Sequence, residues 1–517
     1  MFLWLSKSRL TAIGFLSLIS ILAPAQQKSD KKNPNIVLIY LDDLGYGDVS
    51  AYQSGTLRTP NMDVLANGGL RFTNGYASSA TCTPSRYALL TGTYPWRNQQ
   101  AKILPGTAPL IIDTAQMTLP KMLKAQGYET AVIGKWHLGL GTGFVDWNQE
   151  IIPNPNHVGF DFSHILAATQ DRVPTVYIEN GWVVNLDPND PIQVDYDKNF
   201  DGEPTGLSNP EMLTMKWHHG HNNSIVNGIP RIGFMKGGQR AKWSDVDMAD
   251  HFLQIGKAYI SEKASSEKPF FLFFPMHQPH VPRTPHPRFE GKSGMGPRGD
   301  ALLEADWVIG ELYTTLEIEG LLENTLIIFT SDNGPVLNDG YYDDAVEKLG
   351  NHTPSGPLRG GKYALFEAGT KVPFVVFWKG EIQLGVSNAL VSQIDLLSSL
   401  ASLVGSSETG MDSENLMDVF MGKSHEGREA VIVEASTKTA LRAGDWAMIP
   451  PYTGPAVQNQ VNIELGNSPE YQLYNLKIDP GQRNNLSKSN PEKLEEMKKI
   501  YHLIRGNGST IEPLELK

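Results

Sequence analysis

Four stretches of the chain are apolar at nearly every position and stop abruptly on polar, chemically capable residues. Residues 35–41 (NIVLIYL) run into Asp42-Asp43, and residues 130–133 into Gly134-Lys135-Trp136-His137. Residues 270–274 run into Pro275-Met276-His277, and residues 326–329 into Thr330-Ser331-Asp332-Asn333-Gly334. A run without alternation leaves no face for water, so each predicts a strand covered on both sides, as in a parallel sheet. Between them, residues 62–67, 117–126, 245–261 and 300–317 read as helices, the last two long enough to cross over between parallel strands. Alternating strands and helices predict a doubly wound α/β sheet, mixed but mostly parallel, whose ligands bind at the carboxyl ends of the strands. The polar strand ends should therefore converge.

The N-terminus has its own pattern. Lys7 and Arg9 precede an apolar run at residues 10–22 and the sequence Ala23-Pro24-Ala25, which predicts a secretory signal over 1–25 and export, to a bacterial periplasm or beyond. No other stretch approaches the ~18 apolar residues of a membrane span. Removing Lys7 and Arg9 takes the formal net charge from -12 to -14, which argues against nucleic acid or an anionic membrane as partners. The rest divides into a main domain at 26–424 and a smaller C-terminal α+β subdomain at 425–517. The latter is read from a strand near 429–434, a hairpin at 440–449 and a helix at 491–503. Residues 143–240 lack regular pattern and read as loops shaping a pocket; residues 391–404 read as one helix.

Cys82 is the only cysteine, so it forms no intramolecular disulfide and no multi-cysteine metal site. By itself a lone cysteine suits a small buried apolar residue. Here Pro84 and Arg86 follow it and lead into a helical run, which puts Cys82 at a helix N-terminus, where exposed N–H groups and the dipole favour an anion. Asp42, Asp43, Asp332 and Asn333 offer hard oxygen ligands suited to Ca²⁺ or Mg²⁺, and each pair equally suits a turn. Lys135 and His137 lie two apart, so an extended backbone would point both the same way.

The spacing C-x-P-x-R within TCTPSRYALLTGTYP (81–95) resembles the signature of the type I sulfatases. LDDLGYGD (41–48), GKWHLG (134–139), MHQPHVP (276–282), SDNG (331–334) and LRGGKYALFEAG (358–369) are similar to further motifs of that family, in family order. YQLYNLKIDPGQRNNL (471–486) is similar to its closing segment. The resemblance implies an alkaline-phosphatase-like α/β fold. It also implies that a separate maturase oxidises Cys82 to formylglycine, whose hydrate is the nucleophile. A single Ca²⁺ would be held by Asp42, Asp43, Asp332, Asn333 and residue 82. Arg86, Lys135 and Lys362 would surround the sulfate, His277 would be the general acid, preferred over His280 because it lies at the strand end, and His137 the base.

Substrate residues are read from the same region. Thr169, in AATQDRVPTVYIEN, is the best match to a pocket serine of the family, and Asp171-Arg172 beside it suit adjacent sugar hydroxyls through charge-assisted hydrogen bonds. A general similarity to bacterial enzymes acting on 6-O-sulfated galactose or N-acetylgalactosamine points to a sulfated oligosaccharide. Trp182 and Trp243 suit either stacking on a sugar or a core. Trp217-His218-His219-Gly220-His221 lacks nearby acidic ligands and reads as a substrate-facing loop or a structural turn in preference to a metal site. Two other functions fit less of the sequence: a phosphatase or phosphodiesterase of the same superfold, which would carry Thr or Ser and a two-metal set, and a glycan-binding protein in which Cys82 is never converted.

Overall fold

The computed structural model describes residues 33–53, 55 and 57–506; the expected signal segment lies outside them. Ten strands form the main sheet: β1 (Asn35–Leu41), β2 (Leu70–Tyr76), β3 (Glu129–Lys135), β4 (Phe162–Leu166), β5 (Tyr177–Glu179), β6 (Trp182–Val183), β7 (Phe270–Pro275), β8 (Thr325–Ser331), β9 (Phe374–Phe377) and β10 (Gly385–Ser392). Their order is β10-β2-β9-β8-β1-β7-β3-β4-β5-β6. The centre, β8-β1-β7-β3-β4, is parallel throughout. Antiparallel pairs enter at β9 and at β5-β6, so the sheet is mixed, as expected.

The unbroken apolar runs have the predicted cause. Ile36, Leu38 and Tyr40 of β1 join a core with Leu89, Leu119 and Leu396 on one face of the sheet. Val37, Ile39 and Leu41 join another, with Met62, Phe252 and Leu302, on the opposite face. The first face is covered by α2 (Cys82–Thr91), α3 (Leu119–Ala125) and Leu396–Leu403; the second by α1 (Pro60–Gly68), α4 (Met248–Lys263) and α5 (Gly296–Ile318). Each buried aliphatic side chain contributes about 1.5–3 kcal/mol.

Two readings are corrected. Residues 391–404 are not one helix: Val391 and Ser392 end β10, and the helix begins at Leu396. Val391 packs against the main core and pairs with Gly75 of β2, so sheet pairing overrides local propensity there. The sheet also extends into the expected loop region, through β4 to β6. Polar positions hide that strand from its sequence: His164 is buried because its Nδ1 lies 2.9 Å from Glu179 Oε2 on the neighbouring strand.

A four-stranded antiparallel sheet, β11 (Ala430–Ala435), β12 (Lys438–Ala443), β13 (Trp446–Ile449) and β14 (Gln472–Asn475), forms the smaller layer. Its edge meets the segment just before Cys82: Glu434 N–H donates to Ser78 O at 3.0 Å and Ala80 N–H to Glu434 O at 2.7 Å. The C-terminal sheet therefore supports the backbone that delivers Cys82. No helix among the described residues is long and apolar enough to cross a membrane.

Candidate active site

The site forms where β1 and β8 end side by side. Leu41 pairs with Ser331, and Asp332 N–H donates to Leu41 O at 3.0 Å, so Asp42 and Asp332 emerge as neighbours. Asp43 adopts φ of 62°, a left-handed conformation uncommon outside glycine, and turns the chain across the sheet end. Asn333 Nδ2 then donates to Asp43 Oδ1 at 2.7 Å. Asp42, Asp43 and Asp332 present carboxylate oxygens within 4.8 Å of one another, all buried. Asp42 Oδ1 and Asn333 Oδ1 are buried without a hydrogen-bond partner, although buried polar atoms are normally satisfied. Burial pushes the carboxyls of Asp42 and Asp43 up to about 6; for Asp42 Asp332 adds to the rise, while Lys135 and Lys362 oppose at the respective residues. Clustered carboxylate oxygens, with Asp42 Oδ1 and Asn333 Oδ1 orphaned among them, fit a hard divalent cation.

Asp48, from the same LDDLGYGD run, anchors the turn. Its carboxylate accepts from Arg298 at 2.9 and 2.6 Å, from His352 Nε2 at 2.8 Å and from Gly45 N–H at 2.8 Å. Gly47 is required here: a Cβ would lie 2.1 Å from Thr353 O.

Cys82 opens α2, with Thr81 extended before it. Thr83 Oγ1 donates to His137 O at 2.9 Å, tying the start of α2 to the end of β3. Burial pushes the Cys82 thiol up to about 12, with Lys135 opposing, so the unmodified side chain is a thiol and not a thiolate at neutral pH. One turn along the helix, Arg86 spends its guanidinium on Asp332 Oδ2, at 3.0 and 2.7 Å, and on Lys135 O at 3.1 Å. It is fully buried and these contacts orient Asp332. Lys135 Nζ donates to Asp42 Oδ2, and Lys362 Nζ donates to Asp43 Oδ2 and Asp339 Oδ2, each at 2.9 Å.

The histidines divide differently from the sequence reading. His280, not His277, enters the cluster: a ring nitrogen lies within 4.8 Å of ligand atoms of Asp42 and Cys82, and again of Asp43 and Asp339. The chain turns after β7, with His280 N–H donating to His277 O and Asp42 N–H to Gln278 O, both at 3.0 Å. That turn carries His280 back over the end of β1. His277 sits beside Phe252, and burial pushes it down to about 3, with Asp245 opposing. Val281 O can only accept, so His280 Nδ1, 2.7 Å away, carries a proton and Nε2 faces the cluster. By the same logic His137 Nε2 donates to Leu104 O at 3.0 Å, leaving its buried, unpartnered Nδ1 with a lone pair. His137 has φ of 57°, just past the end of β3, so strand alternation does not place it beside Lys135. Burial and then Lys135 and Arg172 hold its imidazole well below the usual range.

Thr169, Asp171 and Arg172 are together. Arg172 Nη1 donates to Thr169 Oγ1 at 2.6 Å and to Asp171 at 3.1 and 3.0 Å. His221 Nε2 lies 2.8 Å from Asp171 Oδ2, while its Nδ1 faces His219 O at 2.8 Å. The Trp217–His221 stretch thus reaches the expected sugar pocket, and it belongs to none of the metal-competent groups among the described residues. Asp339 is not separable from other polar loop residues by sequence, whereas His221 belongs to the stretch read as a substrate-facing loop or turn. Trp243 is core, its Nε1 donating to Asp245 Oδ1 at 3.1 Å; Trp182 is half exposed.

A mixed α/β sheet whose parallel strand ends gather buried oxygen ligands, lysines and a cysteine at a helix N-terminus defines a hydrolase for compact anionic esters. The chain belongs to the sulfatase family, the sulfuric ester hydrolases: the family model described as Sulfatase matches residues 34–406. It is 47% identical over 498 residues to an N-acetylgalactosamine-6-O-sulfatase of Bacteroides thetaiotaomicron, covering 94% of this chain and 97% of that one. It is 31% identical to human arylsulfatase A, covering 93% and 90%. A solved structure of a 6S-sulfatase from a Bacteroides thetaiotaomicron locus for glycosaminoglycan metabolism superposes with a TM-score of 0.90 at 48% identity, covering 92% of this chain and 99% of that one.

Proposed function

We propose that this protein is an exported carbohydrate sulfatase that removes 6-O-sulfate from galactose or N-acetylgalactosamine units of sulfated glycans, after a maturase has converted Cys82 to formylglycine. The observation that carries the reading is the position of Cys82, with its Sγ within 4.8 Å of carboxylate and imidazole atoms of Asp42 and His280. The 6-O-sulfated galacto-sugar is supported by the near full-length similarity to the N-acetylgalactosamine-6-O-sulfatase.

Asp42, Asp43, Asp332 and Asn333 would hold one Ca²⁺. When bound, the ion supplies positive charge for the sulfate oxygens, and formylglycine, once hydrated, supplies an oxygen nucleophile in place of the thiol. The chain's own groups do the rest. Lys135 and Lys362 bring fixed positive charge to where a compact anion sits, in a water-poor setting where it stabilises developing charge most. His280 Nε2 faces the cluster and would act as the acid toward the departing sugar oxygen in the doubly protonated ring. Burial, then Lys362 and Lys135, disfavour that form, and a bound sulfate anion would favour it; His137 Nδ1 would offer the lone pair that receives a proton. Arg172 and Asp171, the latter oriented by His221, offer a donor and an acceptor pair to neighbouring ring hydroxyls.

The test is sulfate release from monosaccharides and disaccharides sulfated at different positions, using protein co-expressed with a formylglycine-generating enzyme. Preferred turnover of 6-sulfated galacto-sugars is expected; preference for another sulfate position overturns the substrate assignment.

A further inference from the structure

A cleft of about 410 Å³ opens beside the loop that follows β8, within the roughly 300–1,000 Å³ typical of small-ligand pockets. One wall is residues 335–338 with Ser355 and Gly360. The other is the tip of the hairpin formed by Val457–Gln458 and Ile463–Glu464. The first wall is continuous with the catalytic cluster: Asn338 precedes Asp339, the partner of Lys362, and Lys362 N–H donates to Pro335 O at 2.9 Å. On the rim, His218 N–H is fixed to Gly340 O at 2.7 Å. Residues 335–338 therefore link the cleft to the Asp339–Lys362 pair of the site.

Its lining mixes amides with apolar surface. Asn338, Asn459, Gln460 and Asn462 supply carboxamides; Val336 and Ile463 supply apolar faces. No lysine or arginine is among the lining residues, and Glu347 is. Neutral amides beside aliphatic patches match the hydroxyl edge and C–H face of a pyranose. A carboxylate there would meet Glu347 with no lysine or arginine to offset it and only His218 on the rim able to carry positive charge, which disfavours it.

We propose that this cleft is a second sugar subsite, taking an uncharged sugar linked to the sulfated unit and discriminating against a uronate at that position. The proposal rests on the sulfatase reading above and extends it to the neighbouring residue of the glycan.

The test compares kcat/KM of the matured enzyme on a 6-sulfated galacto-monosaccharide, on a disaccharide linking that unit to an uncharged hexose, and on the analogue with a uronate neighbour. The neutral disaccharide should exceed the monosaccharide by about tenfold, the worth of one or two neutral hydrogen bonds, and the uronate analogue should show no gain. A double variant at two exposed hairpin positions, Asn459→Ala with Gln460→Ala, should make neutral disaccharide and monosaccharide equivalent. Glu347→Gln should improve the uronate analogue. Equal rates for monosaccharide and neutral disaccharide, or an equal gain with the uronate, overturns the subsite and leaves the sulfatase reading standing. Absence of turnover on every 6-sulfated galacto-sugar overturns both.

Discussion

His280 and Asp43 face each other across the end of the central strand, Nε2 to Oδ2 at 3.9 Å, while the other nitrogen of the same imidazole is fixed to Val281 O at 2.7 Å. The ring is thus oriented by a backbone carbonyl and aimed into the cluster by its remaining nitrogen. His280→Ala is expected to lower kcat on sugar sulfates by about 10²–10⁴-fold, the usual worth of a positioned acid. The loss on aryl sulfates, whose leaving groups need no proton, should be much smaller. His277→Ala should cost far less on either. Steady-state kinetics on both substrate types decides it, and the reverse ranking of the two variants removes His280 from the role.

The orphaned oxygens of Asp42 and Asn333 predict that a divalent cation stabilises the fold. Chelation should lower Tm and Ca²⁺ should restore it; at a hundred times Kd the ion adds roughly 2.7 kcal/mol. Asn333→Ala should weaken that rescue. Thermal scans that do not respond to chelator or Ca²⁺ would remove the metal assignment.

The Asp171–His221 contact, 2.8 Å, should matter only when a sugar is present. His221→Ala is expected to lower kcat/KM on sulfated sugars by about tenfold or more, as loss of a charge-assisted bond does, with little change on a small aryl sulfate. Equal losses on both would assign His221 to folding alone.

Glu434 sets a pH dependence through a side chain that takes no part in the chemistry. Burial pushes its carboxyl up to about 8, with a backbone hydrogen bond and Arg505 opposing. An unfolded glutamate titrates near ~4.3, so between that value and about 8 the folded state keeps a proton the unfolded chain has lost. Stability therefore falls as pH rises through this window. Glu434→Gln should match the parent below about pH 4 and exceed it by about 1–3 kcal/mol near pH 8, read by denaturant unfolding. Parallel pH profiles for parent and variant would contradict the buried-carboxyl assignment.

Much of this site is legible in the sequence because its residues sit at the ends of strands whose burial is written in uninterrupted apolar runs. Asp42, Asp332 and Lys135 follow directly from β1, β8 and β3. His280 does not, because its placement depends on a turn in which His280 N–H returns to His277 O, and distance from a strand end is a poor guide once the chain doubles back. Arg86 was legible as a neighbour of Cys82, but not its partner Asp332, nearly 250 residues away and reached only through sheet order. His221 and Asp339 lie on irregular segments where polar residues are common and periodicity is silent. β4 carries no clean strand signal because the His164–Glu179 pair places polar atoms between β4 and β5.

The formylglycine assignment is tested most directly by the mass of the Cys82-containing peptide from protein produced with a competent maturase. The expected result is an aldehyde in place of the thiol, present in active protein and absent, together with sulfate release, when Cys82→Ala is made. An unmodified thiol in protein that releases sulfate at full rate would contradict it.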